Sequence, residues 1–190
     1  MMKQVPVGVS ARHIHLSPEH IEILFGEGYA LTEMKPLSQP GQYAANETVA
    51  VIGPKGEFGK VRILGPARKQ TQLEISRTDA FAIGVKPPVR ESGNIEGTPG
   101  IQLKGPAGEV TIEQGVIVAA RHIHFHTSDA EQWGIQDKQE LKVQLGGDRG
   151  LVLEHVIARV SDDFALDMHI DTDEANAAGA SNGDIATILD

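Results

Sequence analysis

The sequence predicts a mainly β protein made of two related halves, and two observations support this fold class. The first is turn content, because 21 Gly and 10 Pro among 190 residues indicate many turns between short strands. The second is a repeated hexapeptide: residues 11–16 return at residues 120–125 with only the last residue changed. Two copies of so unusual a string in one chain imply that a unit was duplicated.

The first half begins with a strand, the repeated motif and a short helix. Residues 5–9 alternate between apolar and other side chains, which is typical of a strand that runs into the motif. Ser17 and Pro18 are helix start signals, with Pro at the first helical position. We therefore expect a helix over residues 18–25 that closes at the glycines following it.

The second half repeats this order of elements. Residues 113–119 lead as a strand into the second copy of the motif. Residues 128–131 then form a capping-box pattern, and the helix that they begin is expected to stop at Gly134. Each half is thus expected to contain, in this order, a strand, a pair of histidines and a short helix.

Hairpins account for most of the remaining chain. Glycine-containing turns between alternating segments predict strand–turn–strand units, in which one face of each strand is buried. An irregular loop is expected at residues 35–42, and residues 85–100 are the best candidate for the connection between the halves. We place the first half at residues 1–90 and the second at 91–190, with strands that can cross between them. The predicted hairpins are residues 47–64, 101–112 and 140–160.

The repeated motif has the spacing of a metal site. In an extended chain the side chains at i and i+2 point to the same face, so His13 and His15 converge, as do His122 and His124. Neutral imidazole is the commonest metal ligand in proteins. One such pair is often a half-exposed strand face or a helix cap. Its duplication, each time after an Arg, favours metal binding.

A third ligand candidate lies at nearly the same place in each half. Glu74 and His169 each precede a Thr-Asp pair, and alignment on these pairs leaves them one residue out of register. Three protein ligands with an open position are typical of catalytic zinc, although cobalt, nickel or iron would also accept these ligands. The candidates are His13, His15 and Glu74 in the first half, and His122, His124 and His169 in the second.

A loop with two cations precedes Glu74. Arg68 lies six residues before Glu74, next to Lys69. The planar fork of an Arg matches phosphate oxygens, so this loop is a candidate anion site. A solvated turn is an equally reasonable interpretation, and the residues alone leave both open.

Four further residues are candidates for supporting the ligands. Arg12 and Arg121 precede the two motifs, and Asp171 follows the last ligand candidate, whose imidazole it could orient. A carboxylate at such a position is nevertheless more often an ordinary surface residue than a partner of a metal ligand. His126 continues the alternation after the second histidine pair, and we interpret it as a supporting or exposed residue because Ser17 stands at the equivalent place.

Composition excludes several classes of function. The chain has no Cys, which rules out disulfides, thiolate zinc sites and cysteine nucleophiles. A net charge of −9 argues against a general nucleic-acid partner, because duplex binding requires cations that neutralise phosphates. The sequence has no apolar run of about 18 residues that would cross a membrane, and its start lacks the apolar region of a signal peptide. A cytoplasmic location is compatible with these features, and a homo-oligomer is compatible with them too.

Taken together, the motifs resemble one enzyme family, the phosphate propanoyltransferases. The resemblance rests on the Ser-x-Arg-His-x-His and Arg-His-x-His strings, a Gly-Pro-x-Arg…Glu-x-Ser-x-Thr-Asp block and a Met-His-x-Asp-Thr-Asp-Glu-Ala-Asn segment, and it runs from about Val5 onward. It implies two β-barrel domains with the active site between them. It also implies reversible transfer of a short acyl group, propanoyl or acetyl, between coenzyme A and phosphate.

The resemblance also assigns roles to residues. It implies two zinc ions per chain and a catalytic, phosphate-binding role for Arg68. All seven motif positions are filled by the expected residue types. The zinc ligands that it implies are His13, His15 and Glu74 for one ion, and His122, His124 and His169 for the other.

One feature differs from part of that family. Members housed in bacterial microcompartments carry an N-terminal targeting extension, whereas the present sequence starts within a few residues of its first predicted strand. We therefore expect a free cytoplasmic form. A specific role in propanediol degradation is then not required, and acetyl is as reasonable an acyl group as propanoyl.

Two other functions are compatible with the same ligands. A dinuclear zinc hydrolase would use a bridging hydroxide to cleave a thioester or phosphoester. The His-x-His-x-Asp-His string of one large class of such hydrolases is absent, because Ser17 and Glu19 stand where Asp and His would be needed. A metal-binding β-barrel without catalytic activity is the second alternative.

Overall fold

A computed structural model describes residues 2–189 and confirms a mainly β chain with short helices. In chain order the strands are β1 Lys3–Ser10, β2 His13–His15, β3 Glu33–Pro36, β4 Tyr43–Ile52, β5 Glu57–Gly65, β6 Gln72–Glu74, β7 Val89–Arg90, β8 Ile101–Lys104, β9 Glu109–Ile112, β10 Val116–Ala119, β11 His122–Phe125, β12 Glu140–Leu145, β13 Leu151–Val160, β14 Asp167–Asp171 and β15 Ile185–Leu189. The helices are α1 Pro18–Phe25, α2 Arg77–Ile83, α3 Thr127–Trp133 and α4 Thr172–Ala178. None of the helices within this described part is long and apolar enough to span a bilayer.

The chain folds into two compact units, each built from separated stretches of sequence. The barrel unit comprises the chain up to Ala11, Ser38–Pro40 and the chain from Ala120 onward. The sheet unit comprises Arg12–Leu37 and Gly41–Ala119. The division of the sequence into halves at residues 1–90 and 91–190 describes the duplicated segments, and it stays a prediction.

In the barrel unit, six strands close into a barrel in the order β1-β14-β11-β13-β12-β15. Its interior is filled mainly by aliphatic side chains from alternate strand positions, together with the fully buried Phe125. Closure leaves none of these strands with an unpaired edge.

In the sheet unit, eight strands follow the order β7-β10-β6-β2-β5-β4-β8-β9, and β3 pairs with β4 as a ninth. The core residues Ile14, Ile63 and Leu73 come from three neighbouring strands at its centre and are fully buried.

The predicted hairpins are confirmed as antiparallel pairs. They are β4 with β5, β8 with β9, and β12 with β13. β4 begins at Tyr43, several residues earlier than predicted, because its start pairs with both β3 and the end of β5. The predicted connection at residues 85–100 contains the short strand β7, which pairs with β10.

Of the two helices whose starts were predicted, α1 begins at the expected residue and α3 begins earlier than expected. α1 has the predicted bounds, with Ser17 as its cap. The predicted capping box at residues 128–131 is wrong, because α3 begins earlier: His126 is its cap and accepts a hydrogen bond from the Ser128 N–H. Sequence spacing pointed to Ser128 because histidine is an uncommon helix cap.

The duplication is visible in strand pairing. β2 lies between β5, parallel to it, and β6, antiparallel to it; β11 lies in the same way between β13 and β14. The strand before each motif is exchanged, because β1 pairs in parallel with β14 whereas β10 pairs in parallel with β6. Each half of the sequence therefore contributes the strand that precedes its histidine pair to the sheet that contains the other half's third ligand candidate.

Two Gly-Pro-x-Gly turns close the C-terminal ends of helices in the sheet unit. The Lys55 N–H donates to the Ile83 carbonyl of α2 at 3.0 Å, and the Ala107 N–H donates to the Leu24 carbonyl of α1 at 3.0 Å. These bonds satisfy carbonyls that a helix leaves unpaired at its end. A Cβ at Gly105 would lie 2.3 Å from the Leu24 carbonyl oxygen, so glycine is needed for the approach.

We predict that Gly105→Ala destabilises the protein by about 1–3 kcal/mol, because the added methyl group must displace the end of α1. Gly59→Ala is the control, since a Cβ at Gly59 meets no atom within 4 Å. The free energy of unfolding, measured by urea titration, should stay near the wild-type value in the control. Equal stability of the two variants would show that the turn does not hold the helix.

Candidate functional site

The first cluster of ligand candidates lies at the centre of the sheet unit. His13 and His15 extend from the same face of β2, and the antiparallel register places Glu74 of β6 directly opposite His13. The Nε2 atom of His13 lies 3.5 Å from Oε2 of Glu74, and that of His15 lies 4.0 Å from Oε1. Three donor side chains that are distant in sequence therefore converge.

Burial and charge set the protonation of this cluster. Burial alone would raise the pKa of Glu74, but His13, His15, a hydrogen bond from Ser92 and the charge of Arg68 lower it to about 2. Burial lowers the pKa of His15 to about 3, with contributions from His13 and Arg68. At neutral pH, Glu74 is an ionised carboxylate and His15 a neutral imidazole, the forms that bind a cation.

The second cluster lies in the barrel unit and has the same construction. His122 and His124 extend from one face of β11, and His169 of β14 is directly opposite His122. The Nε2 atoms of His122 and His124 are 3.1 Å apart. The Nδ1 atom of His122 lies 2.8 Å from the Ala120 carbonyl, which fixes the ring and leaves its Nε2 facing the cluster.

Burial is also the main cause of a lowered pKa in the second cluster. It lowers the pKa of His124 to about 2, and His122, His169 and Arg159 contribute in the same direction. His124 is therefore neutral at physiological pH. The Nδ1 atom of His124 is buried and finds no hydrogen-bond partner among residues 2–189.

Both clusters fit a metal ion by residue type and spacing. One ligand atom from each member lies within 4.8 Å of the others in its cluster. In a tetrahedral zinc site with bonds of about 2.0–2.1 Å, ligand nitrogens are separated by about 3.3 Å. The 3.1 Å between the Nε2 atoms of His122 and His124 is close to this separation.

The structure shows partners for the third ligand candidates that sequence analysis missed. Asp167 Oδ2 lies 3.0 Å from His169 Nε2. The Gln72 amide donates to Glu74 Oε1 at 2.6 Å, and the Ser92 hydroxyl donates to the same oxygen at 2.9 Å. The available signal was spacing, because Asp167 and Gln72 each stand two residues before a ligand candidate and therefore share its face.

Arg68 lies beside the first cluster on a loop fastened to the segment that follows His15. The backbone N–H of Arg68 donates to the Leu16 carbonyl at 2.9 Å. The Thr71 hydroxyl of the same loop accepts a hydrogen bond from the backbone N–H of Ser17 at 3.0 Å. The Arg68 guanidinium donates to Ser92 Oγ at 3.1 Å. A half-buried cation is thus held next to Glu74, rather than extending into solvent from a free turn.

The arginine before each motif forms an ion pair with the helix that follows the third ligand candidate. Arg12 lies 2.6 Å from the Asp79 carboxylate of α2, and Arg121 lies 3.3 Å from the Glu174 carboxylate of α4. Each pair joins the start of a histidine strand to the neighbouring strand's helix. This arrangement explains why the Arg recurs with the histidines.

Helix caps resolve the apparent offset between the halves. The caps of α2 and α4 are Ser76 and Asp171, each two residues after its ligand candidate. Alignment on the caps places Glu74 and His169 in register, whereas the Thr-Asp pairs stand at different positions of the two helices. Asp171 caps α4, the ring of His169 contacts Asp167, and His126 caps α3.

Comparison with known proteins identifies the family. Residues 6–181 match the family model described as phosphate propanoyltransferase. The chain belongs to this family. It is 60% identical over 185 residues to the phosphate propanoyltransferase of Thermotoga maritima, covering 97% of this chain and 88% of that protein. The Rhodopseudomonas palustris protein of the same name is 51% identical, with coverage of 97% and 82%. Membership confirms the resemblance and the predicted enzyme class, an acyltransferase that uses phosphate.

We predict that Arg12→Gln lowers the free energy of unfolding by about 1–3 kcal/mol, because it leaves a buried carboxylate without its partner. The Asp79 side chain is only 8% exposed. Arg77→Gln, an exposed change on α2, is the charge-matched control. In urea unfolding, adding Asp79→Asn to Arg12→Gln should cost less than the sum of the single changes; strict additivity would mean that the pair does not interact.

Proposed function

We propose that this chain transfers a short acyl group reversibly between coenzyme A and inorganic phosphate, with a zinc ion held by each cluster. The observation that carries the proposal is the pair of three-residue clusters in equivalent strand register, with Arg68 beside one of them. The description of the family indicates propanoyl as the acyl group of the proposed substrate. Acetyl is an equally acceptable substrate for the chemistry.

In the proposed reaction, a phosphate oxygen attacks the thioester carbonyl carbon. The C–S bond breaks, the thiolate of coenzyme A leaves, and acyl phosphate forms. Three negative charges must be managed: those of phosphate, of the oxyanion and of the departing thiolate. When bound, the metal ions would supply positive charge to phosphate and to sulfur, a ligand that zinc accepts readily.

The chain's own residues would prepare these groups. His13, His15 and Glu74 would hold one ion, and His122, His124 and His169 the other. The guanidinium of Arg68 would bind phosphate oxygens and orient them for attack, which lowers the entropic barrier. Ser92 and Gln72 would keep Glu74 in place, since both donate hydrogen bonds to one of its oxygens.

We further propose that no side chain becomes acylated. Cys is absent, and no Ser stands in a nucleophile motif. Direct attack requires that both substrates be bound together, so initial-rate kinetics should be sequential. A cytoplasmic location, the lack of a nucleic-acid ligand and self-association stay predictions.

The test is release of free thiol from propanoyl and acetyl coenzyme A, with and without phosphate, by protein of known metal content. We expect release that requires phosphate, at about two zinc ions per chain, and acyl phosphate as the product. Release without phosphate would indicate the hydrolase instead. No release from fully metallated protein would leave a metal-binding barrel.

For Arg68→Ala we expect a rise in the KM for phosphate of about tenfold or more, because a charge-assisted contact is lost. Zinc content and the KM for acyl coenzyme A should stay near wild type. Lys69→Ala is the matched control, since Lys69 is exposed on the same loop. An unchanged phosphate dependence in Arg68→Ala would reduce the arginine to a part of the turn.

A further inference from the structure

A second arginine lies beside the cluster of the barrel unit. Arg159 of β13 is the direct register partner of His124 on the neighbouring strand β11. Paired residues on adjacent strands extend from the same face of a sheet. The half-buried Arg159 side chain therefore leaves the sheet on the face that carries the three histidines.

Aromatic contacts hold this arginine near the cluster. The guanidinium carbon of Arg159 lies 5.6 Å from the ring centroid of Phe164. The Phe164 ring in turn packs on the His124 ring, with centroids 4.4 Å apart. A cation–π contact with an aromatic ring restrains a guanidinium without using its N–H donors.

The donors of Arg159 meet no acceptor within residues 2–189, since no hydrogen bond or ion pair joins it to another side chain or carbonyl there. Two arginines that stand next to the histidine motifs in sequence or in strand register differ from Arg159 in this respect. Arg121 has the Glu174 carboxylate, and Arg62 donates to two backbone carbonyls. A cation that is oriented and yet unpaired is suited to an anionic ligand.

The duplicated segment in the sheet unit has no arginine at the position equivalent to Arg159. His122 pairs with Ile157 as His13 pairs with Arg62, so Leu64 is the counterpart of Arg159 in the sheet unit. The three ligand candidates of the barrel cluster include no carboxylate, in contrast to Glu74 in the other cluster, although the Asp167 carboxylate lies 3.0 Å from His169. Arg159 adds a positive charge beside the barrel cluster at a position where the duplicate has an apolar residue.

We propose that Arg159 is a second anion-binding residue, whose guanidinium binds phosphate-group oxygens of a substrate beside the barrel cluster. The proposal deepens the proposed function and rests on it for the identity of the ligand. Two substrates carry such a group: inorganic phosphate, with acyl phosphate as its product, and coenzyme A. The chemistry is the same for both, and binding measurements separate them.

The test is calorimetric titration of metal-loaded protein with inorganic phosphate and, separately, with coenzyme A. Arg159→Gln should weaken one of these ligands by about tenfold or more, because a charged hydrogen bond is lost. Weakening of phosphate alone assigns Arg159 to phosphate, and weakening of coenzyme A alone assigns it to coenzyme A. The affinity of Arg159→Lys for that ligand should lie between those of the wild type and Arg159→Gln, since lysine keeps the charge but lacks the planar fork.

Arg149→Gln is the matched control, because Arg149 is exposed on the turn between β12 and β13 of the same unit. Zinc content and the thermal unfolding midpoint are measured on every sample. If Arg159→Gln does not fold, Arg159→Met retains an unbranched apolar stem against Phe164 and should show the same loss of affinity. Wild-type affinity for both ligands in a folded, metal-loaded variant overturns the proposal.

These outcomes are distinct from failure of the proposed function. If the wild-type protein releases thiol only with phosphate but Arg159→Gln binds both ligands normally, only the inference about Arg159 is wrong. If the wild-type protein shows no phosphate-dependent release, the proposed reaction is wrong. In that case, selective loss of phosphate or coenzyme A binding in Arg159→Gln would still establish the anion site.

Discussion

Strand register is the constraint on which both clusters depend. His13 faces Glu74 across one strand pair, and His122 faces His169 across the equivalent pair. Two histidines on one face and a third donor directly opposite bring three ligand atoms together with very little chain. A slip of one residue would turn the third donor to the other face of the sheet, so the cluster exists only in this register.

Apolar burial on the opposite face holds that register. Between the ligand candidates, Ile14 pairs with Leu73 and Ile123 pairs with Met168, and all four are fully buried in their cores. Each such side chain contributes about 1.5–3 kcal/mol when buried. A slip would remove these apolar residues from their cores and turn the polar ligand candidates into the cores, so the stability of the core and the geometry of the site are the same requirement.

The helices and arginines add a second restraint at the ends of the strands. Each third-ligand strand runs directly into a capped helix, and an ion pair connects that helix to the residue before the histidines. Repetition of this whole assembly argues that the strand, helix and arginine were duplicated as one unit. Arg159 breaks the symmetry, because its counterpart beside the first cluster is Leu64.

Local patterns in the sequence predicted what depends on local spacing. The histidine pairs, helix α1 and the three hairpins could be predicted because i,i+2 faces, cap residues and glycine turns act over a few residues. The partners of β1 and β10, and the contacts of Ser92 and Arg159, arise from pairing between distant segments. No spacing in the chain encodes these. The alignment on Thr-Asp pairs failed for a related reason, because the cap residue fixes the position of a helix and its first-turn sequence does not.

The most direct test of the two-cluster account is an anomalous difference map at the zinc absorption edge, from crystals grown with zinc. We predict one peak in each unit, bound by His13, His15 and Glu74 in one and by His122, His124 and His169 in the other, at distances of about 2.0–2.2 Å. A map without these peaks, or with zinc bound by other residues, would contradict the account.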